Sequence, residues 1–424
     1  MMKYFSIFAF AIIGLSCSSA ETNLDSTELS GVNPPFEDSV MIEKPLYCNA
    51  NVVVGAGHFD EYIGDLEGMK VGIVGNQSSM IGETHLVDSL IALGVNVVKV
   101  FSPEHGFRGK ADAGEKVQDG IDNETGLPII SLYGSNKKPK AAQLSDIDIL
   151  LFDIQDVGAR FYTYISTLNY VMEAAAETGK KVIVLDRPNP NGHYVDGPVL
   201  EDSQSSFVGM NPVPVVHGMS IAEYAQMIKG EAWINKAEDL DLKVVKCSGW
   251  DHNEFYELPI APSPNLPNMK SVYLYPNLCF FEGTEVSVGR GTDIPFQCLG
   301  HPKMEVDVLE DLYSFKPEPN DGASKPKLMG ETCYGFDYSN DDVKEMRARG
   351  SIDFIALSDF YLKLDLGKEF FLTNNFFNLL AGNSELKVQI MEGISMSDIR
   401  EGWEPKLDEF KEMRKKYLLY TDFD

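Results

Sequence analysis

Val95-Asn96-Val97-Val98-Lys99-Val100-Phe101-Ser102-Pro103-Glu104-His105-Gly106-Phe107-Arg108-Gly109 is the stretch that decides how this chain folds. A β-branched run that halts at Ser-Pro reads as a buried strand with an abrupt end, because the residue before a proline avoids helical geometry. Glu104, His105 and Arg108 are thereby delivered to the rim of a sheet, on a loop whose direction Pro103 fixes. Open α/β sheets carry their chemistry at that rim. A surface turn with incidental charges is the plainer alternative.

Working outward, the same grammar recurs. Lys70–Val74 is a strand ending in Gly75-Asn76-Gln77-Ser78, and 85–93 is helical. Ile129–Leu132 is a short strand before Tyr133-Gly134. Asp148–Asp153 is a strand that runs into Ile154-Gln155-Asp156-Val157-Gly158-Ala159-Arg160-Phe161-Tyr162-Thr163-Tyr164. Ser166–Thr178 is a helix closed by Gly179, and Lys181–Leu185 is a strand ending in Asp186-Arg187-Pro188-Asn189-Pro190. Strands alternating with helices imply parallel βαβ units. Parallel strand ends share one edge, so Asn76, Glu104, the Asp153–Arg160 segment and Asp186–Asn189 are predicted to converge.

Further on, Val213–Ser220 contains His217, and Ser220 with Glu223 forms a capping box for a helix over 221–233. Leu242–Cys247 is another strand. A proline-rich connection follows, with Pro262-Ser263-Pro264-Asn265-Leu266-Pro267, then Phe281-Glu282-Gly283-Thr284 and Gly289-Arg290-Gly291-Thr292. Past Phe296 the alternation fades, and 397–420 is helical with Trp403, Leu407 and Phe410 on one face. The fold expected is α/β: a Rossmann-like parallel-sheet domain over 49–298 and a smaller α+β auxiliary domain over 299–424.

The chain has 424 residues, 44% of them hydrophobic, and a formal charge of −28, which disfavours nucleic acid and anionic membrane surfaces as partners. An anionic ligand would need a local basic pocket. At the N-terminus, Lys3, the apolar run Tyr4–Leu15 and Ser16-Cys17-Ser18-Ser19 resemble a bacterial lipoprotein signal over 1–19, with Cys17 as the lipid-bearing residue. The expectation is export to a periplasm or cell envelope, with a lipid anchor as the sole membrane contact and 20–48 as a flexible tether. Gly14 departs from the usual signal, which prefers an aliphatic residue there, and ordinary cleavage near Ala20 is the alternative to lipidation. The other cysteines, Cys48, Cys247, Cys279, Cys298 and Cys333, have no metal spacing and read mostly as buried apolar residues.

The familiar catalytic signatures are missing: there is no GxSxG elbow, HExxH or Walker loop, and Gly55-Ala56-Gly57-His58 lacks the third glycine of a dinucleotide fingerprint. No cofactor and no metal site is expected. What gathers at the predicted edge is carboxylate, arginine and tyrosine. Glu104, Asp156 and Glu282 could supply the paired carboxylates of glycoside cleavage, with His105 orienting Glu104. Arg108, Arg160 and Arg290 could hold a ligand carboxylate, while Tyr162 and Tyr164 could stack on a sugar. Asn76, Asn189, His217 and Asn265 complete the candidate contacts. Structural readings stand beside these: Asp156 with Arg160, and Arg290 with Glu282 or Glu285, equally make internal ion pairs.

These motifs, in this order over about residues 55–424, resemble the former DUF1343 family, whose characterised members are exo-acting β-N-acetylmuramidases of the NamZ type. Ala222 stands where the family pattern leads one to expect glycine. The resemblance implies a Rossmann-like domain, an auxiliary domain, a cleft between them, and release of N-acetylmuramic acid from non-reducing ends of peptidoglycan fragments. It carries the family's suspected catalytic glutamate onto Glu104, and the lactyl carboxylate of muramic acid would give the arginines a ligand. A muropeptide-binding lipoprotein without catalysis and a carboxylate-bound metal hydrolase are the competing expectations.

Overall fold

The computed structural model describes residues 51–104, 106–108, 119–304 and 312–423. His105, Cys17, Cys48, the signal segment and the tether lie outside them. In chain order the strands are β1 (Val71–Gly75), β2 (Met80–Ile81), β3 (Thr84–His85), β4 (Val97–Ser102), β5 (Gly120–Ile121), β6 (Pro128–Ser131), β7 (Ile149–Asp153), β8 (Lys181–Leu185), β9 (Leu242–Val245), β10 (Cys298–His301), β11 (Tyr313–Phe315) and β12 (Cys333–Asp337).

Among the described residues a seven-stranded sheet has the order β5-β6-β4-β1-β7-β8-β9, with β5 the only antiparallel member. Leaving β5 aside, this is the doubly wound order in which the third strand lies outermost and the first is central. The sequence explains why: β1, β7 and β8 are almost wholly apolar and buried, as parallel strands covered on both faces must be. Each fully buried aliphatic or phenyl side chain contributes about 1.5–3 kcal/mol, and Val74, Phe101, Leu150 and Phe152 are all fully buried on this sheet.

Register then fixes what emerges at the edge. Val74 pairs with Phe101 and Gly75 with Asp153, so the segments starting at Asn76, Pro103 and Ile154 leave side by side. Ser102 pairs with Ser131 in parallel. Glu104 and Tyr133 therefore each follow two residues beyond a matched pair.

The helix Tyr164–Thr178 ends at Gly179, which takes φ 66°, as the sequence indicated. Ser220 and Glu223 cap the helix Ile221–Gly230 reciprocally. That helix stops before Trp233 because Ala232 adopts a left-handed φ of 55°. A three-stranded antiparallel sheet, β10-β12-β11, and five helices between Val343 and Arg414 make up the described C-terminal part. The two parts share one apolar core: Phe280, which packs edge-on against Phe161, stands edge-on to Phe354 of the C-terminal part with centroids 4.9 Å apart.

The last helix, Met396–Arg414, buries Ile399, Trp403, Leu407 and Phe410 and ends earlier than its pattern suggested. The remaining chain is needed elsewhere. The Tyr420 hydroxyl donates to buried Asp186 and accepts from the Cys247 amide at 2.8 Å, so the tail straps the ends of β8 and β9. Burial pushes the Asp186 carboxyl up to about 7, against hydrogen bonds from Tyr420, the Ala222 amide and Ser220 that favour its charged form. Cys247, Cys279, Cys298 and Cys333 are buried and unpaired.

Candidate active site

A cleft of about 580 Å³ opens above the edge where β4, β6 and β7 end. The sheet supplies one wall: Glu104 beyond β4, Tyr133 and Lys137 beyond β6, and Phe161, Tyr162 and Thr163 beyond β7. The Tyr164 hydroxyl lies close enough to Glu104 that, after burial, the Glu104 carboxylate is the next influence pushing it up. Tyr162 is also pushed up, mainly by burial, so both phenols stay protonated donors. Tyr162 donates to the Pro262 carbonyl at 2.8 Å, and Gln77 Nε2 donates to the same oxygen at 3.0 Å. This ties the proline-rich connection across the cleft and places Ser263, Asn265 and Leu266 on its lining.

The rest of the lining includes Glu282, Arg290, Tyr275, Phe296, Phe376 and Leu380, with Tyr275 edge-on to Phe161 at 5.3 Å between centroids. Glu282 and Arg290 form a bidentate pair, with Nε–Oε1 at 2.6 Å and Nη2–Oε2 at 2.9 Å. Such a fork fixes carboxylate orientation as well as charge. The turn bearing Glu282 is set by two devices. Lys327 Nζ donates to the carbonyls of Phe281 and Val286, each at 3.1 Å, and to that of Thr284; burial pulls this lysine down to about 8. Gly283 packs so tightly on the helix Phe376–Ala381 that a Cβ would lie 2.6 Å from Phe377 Cα. Phe296 holds a left-handed φ of 55° while packing on Arg290 at 5.1 Å and on Tyr275 at 5.0 Å between ring centroids. Strain of this kind persists only where the surroundings over-determine it, as they do here.

The cleft thus brings together Glu104, Glu282, Arg290, Tyr162 and Asn265 of the residues singled out in the sequence; Tyr164, expected to stack on a sugar, is buried off the lining and packs edge-on against Tyr162. The Asn265 side chain donates to the Gly322 carbonyl at 2.6 Å, which orients it.

The other candidates have structural work to do. Arg160 neither lines the cleft nor pairs with Asp156. It is fully buried and donates to the carbonyls of Pro198, Val213, Leu380 and Ala381 at 2.7–2.9 Å. Burial pulls it down to about 9, still charged at neutral pH. Arg108 is spent on Asp122 and Asp88, and its hydrogen bonds hold Asp122 down to about 2.

Asp156 accepts the Gly158 amide at 2.7 Å and lies 3.7 Å from His217, both buried beneath the edge. Asn189 donates to the Met219 carbonyl, and the Asn76 carboxamide oxygen accepts from the amide and hydroxyl of Ser78. All four shape the loops from below. Lys137, Phe207, Tyr275 and Phe296 line the cleft but were not among the sequence candidates. Tyr133, noted only as following a strand, also faces it.

Residues 71–270 match the family model described as exo-β-N-acetylmuramidase NamZ, N-terminal, and residues 273–420 match its C-terminal counterpart. The chain is 39% identical over 379 residues to the peptidoglycan β-N-acetylmuramidase NamZ of Bacillus subtilis (strain 168), covering 85% of this chain and 89% of that protein. A crystal structure of a DUF1343 family protein from Bacteroides fragilis NCTC 9343 superposes with TM-score 0.80 at 44% identity, over 88% of this chain and all of that one. A second from the same organism gives TM-score 0.75 at 30% identity, over 88% and 99% of the two chains. With both family models matched in order across the sheet and the remainder of the cleft lining, the chain belongs to the NamZ family.

Proposed function

We propose that this protein is an exo-acting β-N-acetylmuramidase, hydrolysing the glycosidic bond of a non-reducing-terminal N-acetylmuramic acid in peptidoglycan fragments. The observation that carries the reading is the meeting of two glutamates from distant segments, Glu104 and Glu282, in one cleft walled by Tyr162, Tyr275 and Phe161. Glycoside hydrolysis needs two carboxyl groups flanking the scissile bond and apolar faces for a sugar ring.

Glu104 is assigned the proton transfer. It delivers a proton to the leaving oxygen as the C1–O bond breaks, and water supplies both the hydroxyl that ends on C1 and the proton that restores Glu104 to its acid form. Glu282, held in one orientation by Arg290, faces the positive charge that develops on the sugar. The aromatic residues hold the ring.

The test is product analysis after incubation with defined fragments ending in N-acetylmuramic acid. Release of the free sugar one unit at a time from that end is expected. Fragments bound but not consumed would mark a muropeptide-binding protein instead, and release abolished by a chelator would mark a metal-dependent hydrolase.

Export and lipidation at Cys17 belong to the same proposal, supported by the Lys3, Tyr4–Leu15 and Cys17 pattern. Among the described residues no helix is long and apolar enough to cross a membrane. Metabolic labelling with a fatty acid should mark the parent protein and not Cys17→Ala; equal labelling of both would remove the assignment.

A further inference from the structure

The cleft has two cationic side chains on its described lining, and they are not equivalent. Arg290 gives both arms of its fork to Glu282. Lys137 has no carboxylate of a described residue within ion-pair distance. Its ammonium sits 4.1 Å from the centroid of the Phe207 ring, which stacks on Tyr170 at 6.1 Å and 13° between planes. An aromatic face steadies an ammonium without neutralising it, so the charge remains available to an anion approaching from the cleft.

The position of Lys137 is built. The loop beyond β6 is pinned on one side by Asn136, whose amide donates to the Ser131 carbonyl at 2.7 Å. On the other side Lys138 bridges Glu173 and Glu177 on the helix Tyr164–Thr178, both at 2.8 Å. Lys137 is therefore held facing the same cleft as Glu104.

From this arrangement we infer that Lys137 binds the carboxylate of the 3-O-lactyl ether and is the residue that selects muramic acid over glucosamine units. The inference rests on the muramidase reading and assigns its specificity. N-acetylmuramic acid differs from N-acetylglucosamine only by that ether, so discrimination needs a cation near the ring's third position. The surface at large is anionic and repels such a ligand, with a formal charge of −28 for the chain. A cation on a pinned loop that lines the same cleft as Glu104 meets the need. A point charge over an aromatic platform suits a carboxylate that arrives from one direction.

The experiment compares the parent, Lys137→Met and Lys137→Arg on a chromogenic N-acetylmuramic acid glycoside, together with calorimetric binding of free N-acetylmuramic acid and of N-acetylglucosamine. Loss of one charge-assisted contact is expected to raise KM for the muramic glycoside and weaken binding of free N-acetylmuramic acid by about 10- to 100-fold. The value of kcat should change less than about threefold, as for an interaction made equally in ground and transition states. Lys137→Arg should recover most of the loss, and N-acetylglucosamine binding should be the same in all three proteins. Equal affinity of the parent and Lys137→Met for N-acetylmuramic acid, or no binding by the parent, overturns the inference. A protein that binds the sugar through Lys137 but cleaves no glycoside would overturn the hydrolase reading and leave this one standing.

Discussion

Glu104→Gln is expected to lower kcat on a chromogenic N-acetylmuramic acid glycoside by about two to four decades, the range for losing a positioned acid or base. The substitution keeps size and hydrogen-bonding shape and removes the ability to give up or take a proton. Glu104 lies two residues past a paired position of β4, on a loop rather than in the core, and it is half-buried. The melting temperature should therefore stay close to the parent's, and KM should move little. Glu282→Gln makes an informative companion, because it also breaks the fork with Arg290 and should lose stability as well as rate. Steady-state kinetics beside a thermal melt separate the two cases. A Glu104→Gln protein with activity within about threefold of the parent's would show that the proton comes from elsewhere in the cleft.

Much of this arrangement is legible from one sequence because it follows from periodicity. Buried β-branched runs that stop at polar residues place Asn76, Glu104, Asp156 and Asp186 near one edge whatever their side chains do there. What periodicity does not decide is which way each side chain turns. Asp186 and Glu104 follow strands in the same manner, yet one is sealed under Tyr420 and the other faces the cleft. The difference lies in a tail residue 234 positions further on.

The arginines teach the same lesson. Charge alone made Arg108, Arg160 and Arg290 equivalent candidates, but their roles depend on acceptors that only tertiary packing assembles. Lys137 and Phe207 escaped notice because their contact joins residues far apart in the chain, and neither carries a recognisable spacing. The helix that ran on to Tyr420 in the sequence pattern stops at Arg414, whose guanidinium is held by the Gly218 carbonyl and Asp422.

Arg160→Met is expected to destabilise the protein by about 3–5 kcal/mol, the scale for depriving several buried carbonyls of their donor. The guanidinium draws together three separate segments: the Pro198 and Val213 carbonyls from the chain after β8, and those of Leu380 and Ala381 at the end of the helix Phe376–Ala381. Methionine fills the volume but leaves four carbonyls without their donor in a site water does not reach. Arg160→Lys should recover only part, since one ammonium cannot span acceptors set out for a planar fork. Gly382 records how closely the cage is fitted: at φ +80°, a Cβ there would lie 2.6 Å from Arg160 Nη2. Leu380 also lines the cleft, so loosening the cage should lower activity together with stability. An arginine that bound substrate would behave differently, raising KM while leaving the denaturation midpoint where it was. Chemical denaturation of the parent and both variants, read beside their kinetics, decides between the two, and a loss below about 1 kcal/mol would mean that the four carbonyls find other partners.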